Sequence, residues 1–260
     1  MAKKFYFEGN SFAQMEIKII QTSVETVKSF RVLFLHENHF QFIHDKCHIY
    51  GWADTWMILF DGKEVGYGSV WGTDRREDRD TLFEFYLLPS YRKWGSWIFV
   101  QLLKATGVQF IECQTNDALL TSMFYESARN IKAEAILFED RFCSALSLPG
   151  VTFSREVQED DGANAGGYIL SRDAEVVATG GFLLNYNMPY ADIYMDVKEH
   201  VRQKGFGSLI VQELKKEIYL RRRVPAARCN ISNHASKATL LKAGFGVCGT
   251  WLKGNAIVHS

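Results

Sequence analysis

The chain has 260 residues, 47% of them hydrophobic, with Lys+Arg and Asp+Glu both at 30. That is length enough for one large or two small domains with a buried core, and the even charge balance argues against a partner organised around nucleic-acid backbone. No apolar run reaches the ~18 residues of a membrane span, and the start, M-A-K-K-F-Y-F-E-G-N, lacks a continuous apolar leader. The cysteines (Cys47, Cys113, Cys143, Cys229, Cys248) are scattered and form no C-x-x-C, so reduced thiols in a cytoplasmic protein are expected.

Along the first half, residues 1 to about 20 are ambiguous between strand and loop. From Val24 to about His48 the apolar spacing turns helical, with Val27, Phe30, Leu33 and Phe34 on one face. His36, His39, His44, Cys47 and His48 sit within it. His44 and His48 at i, i+4 are compatible with a shared metal, but the spacing matches no familiar zinc pattern, and no metal is expected. A hairpin follows, Trp56 to Phe60 and Val65 to Val70, around the turn signal Asp61-Gly62-Lys63. Then come a strand (Leu82 to Leu88), a turn P-S-Y-R-K-W-G-S-W, a helix (Ile98 to Ala105), a strand (Gln109 to Gln114), a helix (Leu119 to Ala128) and a strand (Ala135 to Phe138).

Arg141 to Gly150, ending in Pro149-Gly150, reads as a linker or domain crossing. Beyond it lie a strand (Val151 to Val157), an acidic, glycine-rich loop and a second hairpin (Tyr168 to Leu170 and Glu175 to Leu184). This hairpin parallels the first and suggests an internal repeat. A β-prone segment, Ala191 to Val197, then runs into V-K-E-H-V-R-Q-K-G-F-G-S and an amphipathic helix with Phe206, Ile210, Leu214 and Ile218 on one face. Gly205 and Gly207 let the backbone approach a ligand, and the first N–H groups of a helix lack internal partners and favour negative charge. The local physics describes a phosphate cradle. Arg221-Arg222-Arg223 ends the helix, either as a solvated helix end or as a phosphate contact. A strand (Ala227 to Ile231) leads to N-H-A-S-K-A-T-L-L-K-A-G-F, a short helix capped by Asn233. Gly246 to Trp251 and Ala256 to Val258 complete the strands.

Arg202, Gly205 and Gly207 fill the pattern Q/R-x-x-G-x-G/A, and Asn233 to Phe245 fills N-x-x-S…L-x-K-x-G-F. Together these resemble the two cofactor motifs of the GNAT superfamily of N-acetyltransferases. The resemblance implies an α/β fold of two GNAT-like domains, each a mixed, mostly antiparallel sheet flanked by helices. It implies a degenerate domain over 1–145 that does not bind coenzyme A and an acyl-CoA-binding domain over 150–260. In the degenerate half Arg92 and Gly95 keep the pattern, and Trp97 stands where the second glycine belongs. On this reading acetyl-CoA or another acyl-CoA is the co-substrate. Val197, Arg202, Gln203, Lys204, Gly205, Phe206, Gly207, Ser208 and Asn233 hold it, with backbone N–H groups near Val197 polarising the thioester carbonyl.

The acceptor implied is a primary amine of a small molecule or peptide, attacking the thioester directly once a base has made it neutral. By period-2 alternation Asp192, Tyr194 and Asp196 share one strand face, and Asp196 and Tyr194 are the nearest catalytic candidates. Glu84, His200 and His234 are further options. The tyrosine that many family members carry four residues before the second-motif glycine is replaced here by Leu240. Two other functions stay open on these residues: a non-catalytic acyl-CoA-binding or regulatory protein, and an aminoacyl-tRNA-dependent transferase. A homodimer through an exposed sheet edge is compatible with the pattern.

Overall fold

The computed structural model describes residues 15–37, 41, 44–156 and 164–257. The first half runs β1 (Ile17–Thr22), α1 (Lys28–Glu37), α2 (His44–Ile49), β2 (Ala53–Phe60), β3 (Lys63–Trp71) and β4 (Thr81–Leu87). A 3-10 turn (Pro89–Trp94), α3 (Gly95–Thr106), β5 (Phe110–Gln114), α4 (Ala118–Ser127) and β6 (Ala128–Asp140) follow. The hairpin β2–β3 turns where expected, because Asp61 and Gly62 both take left-handed φ, 49° and 75°, which suits the twist of the flanking strands.

The second half runs β7 (Val151–Arg155), β8 (Asn164–Arg172), β9 (Glu175–Leu183), β10 (Tyr190–Val197), a 3-10 turn (Glu199–Val201) and α5 (Phe206–Leu220). It closes with β11 (Val224–Asn230), α6 (His234–Lys242) and β12 (Phe245–Ala256). Its hairpin β8–β9 again turns through two left-handed residues, Asp173 and Ala174.

All strands among the described residues join one sheet of twelve, in the order β1-β2-β3-β4-β5-β12-β6-β11-β10-β9-β8-β7. The order is a strand exchange. β12, from the second half, pairs antiparallel with β5 of the first. β6, from the first half, pairs antiparallel with β11 of the second. The two exchanged strands also pair with each other over most of their length. Each half nevertheless keeps its own core. In one, Phe85, Phe99, Leu102 and Phe124 are buried under α3 and α4. In the other, Ala191, Ile193, Phe206, Ile210 and Leu214 are buried under α5.

Two expectations change. The helical stretch expected over Val24 to His48 is two helices, and residues 38–40 and 42–43 between them lie outside those described. The strand expected over Gly246 to Trp251 is longer, β12, which runs on to Ala256 through three register shifts; Ile257 of the expected strand Ala256 to Val258 is not in a strand, and Val258 lies outside the described residues. Arg141 to Gly150, expected as a linker or domain crossing, has no helix or strand and is docked: the Gln212 side chain accepts from the Leu146 N–H at 2.6 Å and donates to the Leu146 carbonyl at 3.1 Å. Phe142 N–H bonds to the Gly244 carbonyl.

Candidate functional site: a glycine bend at a fork in the sheet

β10 and β11 run parallel, and they pair only at Tyr190–Val224, Ala191–Pro225 and Asp192–Ala226. Past Asp192 they part, while β10 stays paired with β9 through Val197. The Lys198 N–H bonds to Val177 on the β9 side at 3.0 Å. Alternation then turns the N–H groups of Met195 and Val197 to the other side, into the open fork. That is the backbone edge the sequence reading assigned to the thioester.

The bend begins where the fork opens. Gln203 takes φ 63° and Gly205 φ 91°, and the second of these is a left-handed conformation that glycine adopts without steric cost. α5 starts at Phe206, and the first helical N–H to bond backwards is that of Leu209, to the Gly205 carbonyl at 3.1 Å. The preceding N–H groups of the first turn therefore point out of the helix start. A Cβ on Gly207 would lie 3.1 Å from Thr239 Cγ2 and 3.4 Å from Val197 Cγ2, so the residue must be small where β10, α5 and α6 converge.

A cavity of about 610 Å³ opens over this bend. Val197, Arg202, Gln203, Gly205, Phe206, Gly207, Ser208 and Asn233 all line it, so the structure brings together eight of the nine residues expected to hold the cofactor. Lys204 does not line it, and its ammonium lies 3.5 Å from the His200 carbonyl.

Several of the eight contribute backbone more than side chain. Phe206 is buried in the core, the Ser208 hydroxyl donates to the Thr239 carbonyl at 3.1 Å, and the Asn233 side-chain oxygen caps α6 by accepting from the Ser236 N–H at 2.9 Å. Arg202 Nε donates to the Val197 carbonyl at 3.0 Å, bracing the bend against the strand end. Other lining residues, among them Met195, Asp196, Thr239 and Lys242, were outside that set. Lys242, at the end of α6, also borders the cavity, and its Nζ would stand 3.9 Å from a Cβ placed on Gly205. It lies inside the second motif, where its own contribution cannot be read without the folded geometry.

On the opposite face of β10 from α5, the three residues that share a face have different surroundings. Tyr194 is 40% exposed. Asp196 is open to water beside Arg202, 3.7 Å from its Nη2. Asp192 is buried at the apex of the fork. Its Oδ2 lies 3.6 Å from Arg228 Nη2 on β11, and its Oδ1 has no hydrogen-bond partner among the described residues. Burial pushes the Asp192 carboxyl up to about 6, with Arg228, Lys46 and a hydrogen bond to Tyr186 pulling the other way. Leu240, at the position of the missing tyrosine, is buried in the core.

The first half carries a partial copy of this construction. β4 and β5 are parallel and pair only at Thr81–Phe110 and Leu82–Ile111. Arg92 Nε donates to the Leu87 carbonyl at 3.1 Å, as Arg202 does to Val197. The bend itself is absent: Gly95 is right-handed, φ −51°, and the 3-10 turn runs straight into α3. Trp94 and Tyr91 pack at a tilt against Phe60 there, with ring centroids 4.8 and 5.5 Å away. Trp97, at the second-glycine position, lies in the first turn of α3 and is 39% exposed. The turn thus lacks the left-handed bend that opens its counterpart in the second half.

Two other groups resolve as internal contacts. Arg223 donates to the backbone carbonyls of Pro189 and Leu184, and the Arg221 guanidinium lies over the Phe182 ring, so neither faces the cavity. Among the histidines, His48 Nε2 lies 2.9 Å from Glu84 Oε2, beside the pairs Arg31–Asp45 and Arg31–Glu84. His39 and the side chain of His44 lie outside the described residues.

Residues 23–141 match the family model described as an acetyltransferase (GNAT) domain, and residues 187–251 match the model described as FR47-like protein. No protein with a curated description matches the chain. Among solved structures the chain is similar to an acetyltransferase of the GNAT family from Colwellia psychrerythraea, at 14% identity and TM-score 0.72, over 93% of this chain and 99% of that one. It is also similar to a tandem GNAT protein from the clavulanic acid biosynthesis pathway, at 12% identity and TM-score 0.61, over 94% and 100%. A GCN5-related N-acetyltransferase from Sphaerobacter thermophilus gives 12% identity and TM-score 0.59, over 92% and 95%. At these identities the likeness is one of fold. No helix among the described residues is long and apolar enough to cross a membrane.

Proposed function

We propose that this chain, whose residues 23–141 match a GNAT acetyltransferase domain model and whose fold is shared with GNAT structures, binds an acyl-CoA through residues 150–260, acetyl-CoA in the first instance, and passes its acyl group to a primary amine. The observation that carries this is the open glycine bend at the fork, with outward N–H groups and the Lys242 ammonium beside a cavity of about 610 Å³. Those donors and that charge suit a diphosphate. Bound acyl-CoA supplies an activated thioester. The outward N–H groups of Met195 and Val197 lie along the fork, where they suit the thioester carbonyl as charge develops on it.

In this reading Asp192 takes the proton from the attacking amine. It is buried at the apex and has an unpartnered oxygen, whereas Asp196 is solvated beside Arg202. Tyr194 and Asp196 flank the route to it on the same strand face. On this reading the first half binds no coenzyme, because its equivalent turn lacks the left-handed bend. Its α2 meets the segment just before β10, where the Asp45 N–H bonds to Asn187 Oδ1 at 3.0 Å.

Calorimetry of the full chain with acetyl-CoA tests the reading. One site should bind, and Gly207→Val should weaken it by tenfold or more, since the larger side chain meets Thr239 and Val197. Absence of binding, or binding indifferent to Gly207→Val, overturns it.

A further inference from the structure

Cations and aromatic rings alternate along a strip that crosses from the first half to the apex of the fork. The Arg76 guanidinium lies 4.7 Å from the Trp71 ring centre and 4.8 Å from that of Trp52. Lys46 Nζ follows at 5.7 Å from Trp52 and 5.5 Å from Tyr186. Arg228 closes the series at 5.4 Å from Tyr186 and 5.5 Å from Trp251. Its Nη2 also donates to the Tyr186 hydroxyl at 2.8 Å.

The charges along this strip are unbalanced. Among the described residues neither Arg76 nor Lys46 has a carboxylate within ion-pair distance, and Asp192 is the carboxylate beside Arg228. The nearest other acids are committed elsewhere: Glu84 to Arg31 and His48, Asp45 to Arg31, and Glu112 to Thr73, Trp71 and Lys253. Lys46, Trp52 and Arg76 are half-buried, so water and solutes reach them. Ring faces hold the cations in place without neutralising them, and partial burial strengthens their attraction for an anion. A lone amine would meet net positive charge on approach to Asp192. An amine that brings its own negative group would not.

We propose that the acceptor is a small primary amine that also carries a carboxylate, the carboxylate held by Lys46 on α2 and the amine directed to Asp192. The first half then supplies specificity to a reaction carried out by the second. This rests on the acyl-transfer reading above.

The test is steady-state acylation by the full chain of matched amines that differ only in the carboxylate, tyrosine against tyramine and lysine against cadaverine, with acetyl-CoA calorimetry run alongside. The carboxylate-bearing member of each pair should be preferred in kcat/KM by about tenfold, as suits a charge-assisted contact. Lys46→Gln should bring that ratio close to one through KM, and Lys46→Arg should restore it. Far-UV circular dichroism of both variants guards against misfolding. If acetyl-CoA binds but the pairs are not discriminated, are discriminated the other way or are not acylated, the proposal fails alone. The same holds if Lys46→Gln leaves the ratio intact. If acetyl-CoA does not bind, the acyl-transfer reading fails and takes the proposal with it.

Discussion

At the scale of single residues, Asp192 and Lys242 carry the two sharpest predictions. Asp192 must be ionised to accept a proton, and burial lifts its carboxyl to about 6. Turnover should therefore fall as pH drops through about 6, with a limb of slope one. Asp192→Asn should lower kcat by 10²-fold or more and abolish that limb while acetyl-CoA still binds, with both effects read from pH–rate profiles. The groups facing it are Arg228 on β11, Lys46 on α2 and Tyr186 in the segment before β10, so its titration reports on both halves. Lys242→Ala should weaken acetyl-CoA by about five- to tenfold, an effect that shrinks as salt is raised. Calorimetry at two ionic strengths measures it. Gly205 and Gly207 were legible in sequence because glycine and arginine spacing report backbone demands directly. Asp192 was visible only as one member of a polar strand face. Its burial depends on β11 and on a helix from the other half, which period-2 alternation cannot see.

At the scale of elements, the fork is made by what β10 lacks, since it has a partner on the β11 side only as far as Asp192. Sequence reading placed the strand, the bend and the helix in order but could not show where pairing stops. The segment after β6 shows how tightly the site is backed. Lys215 on α5 lies 2.5 Å from Asp140, both almost wholly buried, and donates to the carbonyls of Phe142 and Ala243 at 2.8 and 2.9 Å. Lys215→Met strands a buried carboxylate and should cost about 3–5 kcal/mol, lowering the thermal midpoint by several degrees. Adding Asp140→Asn to that variant should recover part of the loss, because the uncompensated charge is gone. The Arg221–Arg223 run was a poor guide for a plain reason. Arginine makes good contacts with carbonyls and rings as well as with phosphates, and composition does not distinguish them.

At the scale of the whole molecule, the repeat was legible from paired hairpins and paired strand–turn–helix units, and the sheet exchange was not. Both halves present the same order of elements whether the closing strands stay at home or trade places, since the same alternating pattern fits either neighbour. The exchange predicts that fragments cut between residues 145 and 150 will not fold separately. Expressed alone, each should be aggregated or lack a cooperative transition. Co-expressed, they should recover a single complex with one unfolding step by calorimetry, and two independently soluble, folded fragments would contradict the pairing of β5 with β12 and of β6 with β11.

The position of β12 also has a bearing on how the chain is made. A ribosome delivers β1 to β6 first, yet β5 meets its missing neighbour only when residues 245–256 emerge, and β6 waits for β11. Until those strands are made the nascent chain therefore exposes unpaired edges on β5 and β6, which invite off-pathway association. Holdase chaperones that shield such edges should raise the soluble yield, and slowing translation ahead of β12 should lower it.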